Sequence, residues 1–303
     1  MAESQAETVK ATQAVHSKVL VVAAFMAFFH IACFAFIYTG VSFVAVMTAF
    51  AMYVIRGIGV TGGYHRLLAH RAFKTSRFVQ FLFALAGSLA VQGGPIWWVS
   101  HHRSHHRDTD TDEDIHSPVT RGMWKAHMGW MMTDEAFNEN GANSRDLHKF
   151  AELKFLQRYY VWLVLLEIIG LFGFGSIWAW VFPESGTSGL QMLVWGFFIS
   201  TALLYHGTFC INSLTHLIGW QRFNNTGDDS RNHWLLALIT MGEGWHNNHH
   251  RYQASERQGM YWWEIDITHY GLVILSKLGL VWGLRSYPQT IYAEAESNRL
   301  AAQ

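Results

Sequence analysis

Charge is what this sequence has least of, and its scarcity is uneven. Only 15% of the 303 residues are Asp, Glu, Lys or Arg, while half are hydrophobic. No charged residue occurs from Val19 to Ile55, and from Tyr159 to Gln221 there are only Glu167 and Glu184. Apolar runs of this length argue against an ordinary soluble domain. Cysteine is nearly absent. The two present, Cys33 and Cys210, fall inside apolar runs and read as small buried hydrophobes, not as a disulfide. There is no excess charge either: 22 Lys and Arg balance 22 Asp and Glu, so nothing points to nucleic acid. No linker rich in Pro or Ser and no repeat divides the chain, which predicts one domain over residues 1–303. No GxSxG, Walker or dinucleotide fingerprint appears, leaving hydrolysis and nucleotide binding unsupported.

A helix from Val19 to Ile55 would rise ~55 Å against a hydrocarbon core of ~30 Å, so that run must fold back. The break is YTGVS, Tyr38–Ser42, and the second run breaks at FPESGTSG, Phe182–Gly189. Four membrane spans are expected, at 19–38, 43–62, 159–181 and 189–210, with Arg56 snorkelling to the interface. The first 18 residues are polar and the first apolar run is a full span, so no cleavable signal peptide is expected. The run Phe78–Trp98 contains Gln80, Ser88, Gln92, Gly93, Gly94 and Pro95, and reads as a re-entrant or interfacial helix. Tyr261–Arg285 suits an amphipathic helix lying on the membrane surface. Every Lys and Arg lies before Val19, between Arg56 and Arg158, or from Arg222 onward, and neither hairpin turn has one. These three regions therefore share one face, which the positive-inside rule makes cytoplasmic, together with both termini.

Histidine is plentiful, at 18 residues. Nine fall in HRLLAH (His65, His70), HRSHH (His102, His105, His106), HNNHH (His246, His249, His250) and the outlier His216 in NSLTH. Residues three and four apart share a helix face, so each HxxHH aims its imidazoles one way. The spacing of five in HRLLAH leaves its rings ~140° apart on an α-helix, so they converge only at a helix end. Packed neutral imidazoles on one face of a membrane point to metal, and eight or nine ligands exceed one tetrahedral site, implying two ions. His16, His30, His101, His116, His127, His148, His206, His233 and His269 lack triplet spacing and read as ordinary polar residues, His101 being the strongest exception because it abuts the second box.

The order HRLLAH, HRSHH, NSLTH, GEGWHNNHH among four spans resembles the membrane-bound fatty acyl desaturases of the stearoyl (delta-9) type, over residues ~40 to 285. The resemblance implies an all-α integral membrane protein whose four spans carry a cytoplasmic helical cap with a histidine-rich di-iron site, in a bacterial inner membrane. It implies one iron held by His65, His70, His102, His106 and His250. The other would be held by His105, His216, His246 and His249, with Asn212 acting through water; Asn212 lies one helical turn before His216. The implied reaction is the O2-dependent introduction of a cis double bond, at carbon 9, into a fatty acyl chain carried by a lipid or by CoA. No HPGG segment or CxxC iron–sulfur pattern is fused here, so two electrons are expected from a ferredoxin, a rubredoxin or cytochrome b5 with its reductase. Arg66, Arg71, Lys74 and Arg77 form the expected docking face for that acidic donor. Animal acyl-CoA members have Arg two residues before the second box where this chain has Ser100, which leaves the carrier open between lipid and CoA.

Three other readings stay in view. A hydroxylase of the same histidine-box superfamily shares most of these residues, although its first box is usually HxxxH. A metal transporter or sensor needs ionisable residues deep in the spans, where only His30, Glu167 and His206 qualify. A carboxylate-bridged site would use the ExxH pairs Glu243/His246 and Glu113/His116, but Glu243 sits between glycines and Glu113 lies in DTDTDED. Glu243 is therefore expected to orient a ligand histidine from behind. DTDTDED lacks the glycine of a calcium loop and reads as a solvated acidic loop hydrogen-bonding Arg107 or a box histidine. Trp97, Trp98, Trp130, Trp262 and Trp263 are candidates to line an acyl tunnel.

Overall fold

The computed structural model describes residues 2–137 and 141–301; the side chain of His16 lies outside the described ones. Among the described residues four helices are long and apolar enough to cross a membrane: Lys18–Thr39, Phe43–Ala69, Tyr160–Val181 and Gly189–His216. The first belongs to α1 (Ala2–Cys33) and a following turn of helix, the second begins as α2 (Phe43–Ile58), the third is α5 (Tyr160–Val181) and the fourth ends as α6 (Ser200–Ser213). Their outer faces are apolar and uncovered, as at Ile31, Val161 and Leu203. That is what a lipid-facing surface requires. The second and fourth helices run beyond the expected ends at residues 62 and 210, because their polar last turns are buried against the cap instead of ending in water.

The two hairpin turns are tied together at the end of the spans away from the histidines. Gly40 takes φ +72°, and Ser42 caps α2 by accepting from the Ala45 N–H. Ser42 Oγ also donates to Gln191 Oε1 at 2.6 Å, and Gln191 Nε2 donates to the Thr39 carbonyl at 2.9 Å. These bonds satisfy polar groups that lipid would leave unpaired.

Arg56 does not snorkel. It is fully buried, its Nε and Nη2 lie 2.9 and 2.6 Å from Glu167 Oε1, and Nη1 donates to Ser200 and Thr201. Sequence could not reveal that the carboxylate of the third span sits opposite it, and a guanidinium inside a bundle is tolerable only when so paired. Glu167→Ala should cost ~3–5 kcal/mol by stranding that charge. The Arg56→Met/Glu167→Leu pair should cost far less; denaturant unfolding in detergent measures both.

Between the second and third spans the chain stays on the histidine side. α3 (Arg77–Ser88) rises only ~18 Å, too short to cross, and a turn through Gly93 at φ +92° leads into α4 (Pro95–Asp108). α3 lies so close to the second span that a Cβ on Gly59 would fall 2.3 Å from the Gly87 nitrogen. The C-terminal part carries α7 (Trp234–Ile239), α8 (His246–Arg251) and α9 (Ile267–Lys277). The helix expected over Tyr261–Arg285 is confined to α9. The chain beyond it forms a strand, Val281–Trp282, paired antiparallel with Lys74–Thr75. Gly279 at φ +72° ends that helix, a stop signal the apolar pattern hid.

Candidate metal centre

The second span does not stay α-helical to its end. Residues Gly59–Ala69 form a π-helix, and the His70 N–H bonds to the His65 carbonyl at 3.1 Å. Bonding from i to i+5 sets residue 70 over residue 65, so their rings lie 4.7 Å apart. The five-residue spacing that fits an α-helix poorly is natural to this winding. On α4, His102 and His106 are one turn apart and face His65 and His70, while His105 turns to the other side. Segment α8 supplies the third box, and His216 closes the fourth span in a turn of 3-10 helix.

All nine box histidines converge, in two groups. His65, His70, His102, His106 and His249 form one, and His105, His216, His246 and His250 the other, the candidate ligand atoms of each lying within 4.8 Å of one another. The partition expected by resemblance is thereby corrected at two positions: His249 joins the first group and His250 the second. The reason is helical phase. His246 and His250 are four apart and lie side by side with ring centroids 4.3 Å apart, whereas His249 is rotated toward His65 and His106.

The imidazoles are arranged as ligands. Nε2 atoms approach in pairs: His65–His249 at 3.0 Å, His70–His102 at 2.8 Å, His106–His249 at 2.9 Å and His216–His246 at 3.1 Å. Two nitrogens bound at right angles ~2.1 Å from one ion are ~3.0 Å apart, so these spacings fit shared coordination. His250 Nε2 is buried without a partner among the described residues, although its Nδ1 is bonded. Burial, reinforced by neighbouring imidazoles, pushes His70, His102, His106, His246 and His249 well below the ordinary histidine value. His250 is lowered to about 4, chiefly by burial. These side chains are therefore neutral at physiological pH, the form that ligates metal.

Four carboxylates stand behind the rings. Nδ1 of His65, His105, His216 and His250 lies 2.5, 2.9, 2.9 and 2.8 Å from Glu243, Asp114, Asp110 and Asp228. Each carboxylate favours the Nδ1–H tautomer and leaves Nε2 free to face the centre. Burial alone would raise Asp114 and Asp228, but their imidazole partners outweigh it and hold both far below the usual carboxylate range. The expected role of Glu243 thus has a geometric basis, and Arg66 Nη2 and Gln258 Nε2 brace that carboxylate. Asp110 and Asp114 belong to the run read as a solvated loop, and Asp114 is buried. Part of that loop is not solvated, because two of its carboxylates turn inward onto box histidines. The expected hydrogen bond of this loop to a box histidine is present, between Asp110 and His216 and between Asp114 and His105, and Asp108 pairs with Arg107. Arg66 is corrected too: it is buried between Glu243 and Asp266 and cannot dock a partner. Glu113 is exposed, and neither ExxH glutamate belongs to the nine-histidine groups.

His116, read as ordinary, packs 4.5 Å from the His105 ring and 3.2 Å from Asp114, and burial lowers it to about 3. His101 joins neither group. It lies against Trp97 and Trp130 in an apolar cavity, lowered by burial to about 4. That cavity, of about 490 Å³, extends between α1 and α5 to His102. A smaller one reaches from Tyr53 and Ile239 to His65, His102, His105 and His246. Trp98, His102, Thr208 and Asn212 line both, so an apolar path passes beside the histidine cluster. Of the expected tunnel tryptophans, Trp97, Trp98 and Trp130 line this path; Trp262 and Trp263 do not, being 83% and 57% exposed on the cap.

Comparison with known proteins agrees with this geometry. Residues 41–273 match the family model described as fatty acid desaturase. The chain is 41% identical over 235 residues to an acyl-CoA C20 Delta5-desaturase of Anemone leveillei, covering 76% of this chain and 70% of that one. It is 38% identical over 252 residues to an sn-1 stearoyl-lipid 9-desaturase of Anabaena variabilis, covering 82% and 87%, and 39% identical over 260 residues to Delta-9 acyl-lipid desaturase 1 of Arabidopsis thaliana, covering 85% and 79%. With four helices long enough to cross a bilayer, nine converging histidines and an apolar path beside them, the chain belongs to the fatty acid desaturase family and is an oxidoreductase of fatty acyl chains.

Proposed function

We propose that this protein introduces a cis double bond at carbon 9 of a saturated acyl chain, using O2 and two electrons from a separate protein. The observation that carries this reading is the apolar path running beside two groups of converging imidazoles, four of which are backed by carboxylates. Two iron ions suit these groups, held by the five histidines of the first and the four of the second, with Asn212 reaching the second through water. Bound there, they supply the power to reduce O2 and remove two hydrogens from adjacent methylenes, which no side-chain acid or base can do. The sum is –CH2–CH2– + O2 + 2e⁻ + 2H⁺ → –CH=CH– + 2H2O.

The protein's part is positional. Trp98, Thr208 and Asn212 form the walls where the two cavities meet, which would bend the chain and fix one bond beside the cluster. The mostly apolar linings of the two cavities would keep bulk water from the bound chain. By the positive-inside rule the histidine face and both termini would lie in the cytoplasm. A ferredoxin, rubredoxin or cytochrome b5 would dock there. With Arg66 buried, its site is assigned to the cleft where Arg71, Arg103 and Arg285 surround His70. Arg285→Glu should raise the KM for an acidic donor several-fold, an effect that shrinks with added salt. Steady-state kinetics at two ionic strengths measure it.

The named relatives include both acyl-lipid and acyl-CoA desaturases, so the carrier must come from experiment. Expression in a host with its own electron carriers, followed by location of double bonds within each lipid class, tests the reading. A new cis alkene at carbon 9 is expected, whereas a hydroxy acid would replace desaturation by hydroxylation.

A further inference from the structure

The larger cavity has its rim on the lipid-facing surface. Phe25 and Phe28 of α1 and Val161 and Leu165 of α5 line it, yet are 41%, 59%, 65% and 42% exposed. Val161 is the second residue of its span, and Phe25 lies seven residues after Lys18, so the opening is in the half of the bilayer nearest the cap. Lys18 lies over the ring of Phe137 at 5.9 Å on the cap side of the same cavity, at the level where lipid head groups meet water. Among the described residues lining the cavity none is Lys or Arg, whereas the phosphates of CoA would call for cations.

Its lining holds an unused donor. Trp130 is 7% exposed and its Nε1–H has no partner among the described residues, although its parallel neighbour Trp97 donates to the Ala136 carbonyl at 3.0 Å. Buried N–H groups without partners are rare in folded proteins, and this one belongs to a residue lining a cavity with room for an acceptor. We propose that the groove between α1 and α5 admits the acyl chain of a glycerolipid sideways from the bilayer, and that Trp130 Nε1–H holds its ester carbonyl. The chain then runs past Trp98 and His102, and the anchored ester counts carbons to the reacting bond. This inference rests on the desaturase reading and names the carrier that reading leaves open.

The test uses the full-length, metal-loaded protein in vesicles of 1-stearoyl-2-oleoyl phosphatidylglycerol with a competent electron donor. Trp130→Phe removes the donor and keeps the ring; it should raise the KM for vesicle lipid about fivefold and give a mixture of double-bond positions. Trp130→His, which keeps an N–H, should restore a single position. Val161→Trp, placed at the rim away from the histidines, should suppress turnover of vesicle lipid while the metal content stays at two ions per chain. A Trp130→Phe enzyme with wild-type KM and a single product, or a Val161→Trp enzyme with wild-type turnover, overturns the proposal. So does a wild-type enzyme that desaturates stearoyl-CoA but not vesicle lipid. A wild-type enzyme that forms no alkene from either substrate defeats the desaturase reading itself.

Discussion

Replacing His249 with Ala should reduce alkene formation below ~1% of wild type, since losing even an outer-shell partner of a metal ligand costs ~10–100-fold. The loss follows from position: His249 Nε2 lies within 3.0 Å of both His65 Nε2 and His106 Nε2, at the middle of the five-histidine group. Paired substitutions test the grouping. Pairs drawn from one group, His65→Ala/His249→Ala or His216→Ala/His250→Ala, should leave one ion per chain. Pairs drawn across groups, such as His216→Ala/His249→Ala, should leave almost none. Metal analysis of purified protein reads the difference, and one retained ion in His216→Ala/His249→Ala would restore the partition expected by resemblance. His148, exposed and remote in kind from these groups, is the control; His148→Ala should keep both ions and full activity.

The second large effect lies behind the ligands. Asp228→Asn keeps size and removes charge, so His250 loses the carboxylate 2.8 Å from its Nδ1. Metal affinity or activity should fall ~10–100-fold, and Asp114→Asn should act alike through His105. The substituted amide retains an oxygen able to accept from Nδ1–H, so the loss should be in the electrostatic part and smaller than for deletion of the ring. Titration with ferrous iron under anaerobic conditions measures it. Wild-type affinity in Asp228→Asn would show that the contact only fills space.

Much of this architecture was legible because it is written in local patterns. Two runs with almost no charge, each broken once, are enough to require four crossings, since lipid admits no unpaired backbone and few charges. The spacing HxxHH likewise declares a shared helix face, and all nine box histidines do converge. Glu243 could be expected behind a ligand because its glycine neighbours disfavoured a place in a helix-borne carboxylate site.

What sequence left undecided depends on distance in space between residues far apart in the chain. Phase within HNNHH says that His249 and His250 diverge, but only the packing of α8 against the second span and α4 decides which ring meets which group. Arg56 and Glu167 are 111 residues apart, and Asp110 and His216 are 106 apart; neither pairing has a local signature. The π-helical winding that unites His65 and His70 is a tertiary effect too, set where the span meets the cap. The sequence alone thus determined the membrane class, the number of crossings and the nine-histidine set, because these follow from composition and helical period. The tertiary structure alone decided the grouping of the ligands, which carboxylate stands behind which ring and the path of the cavity, because burial and charge pairing act across folded space and leave no period to read.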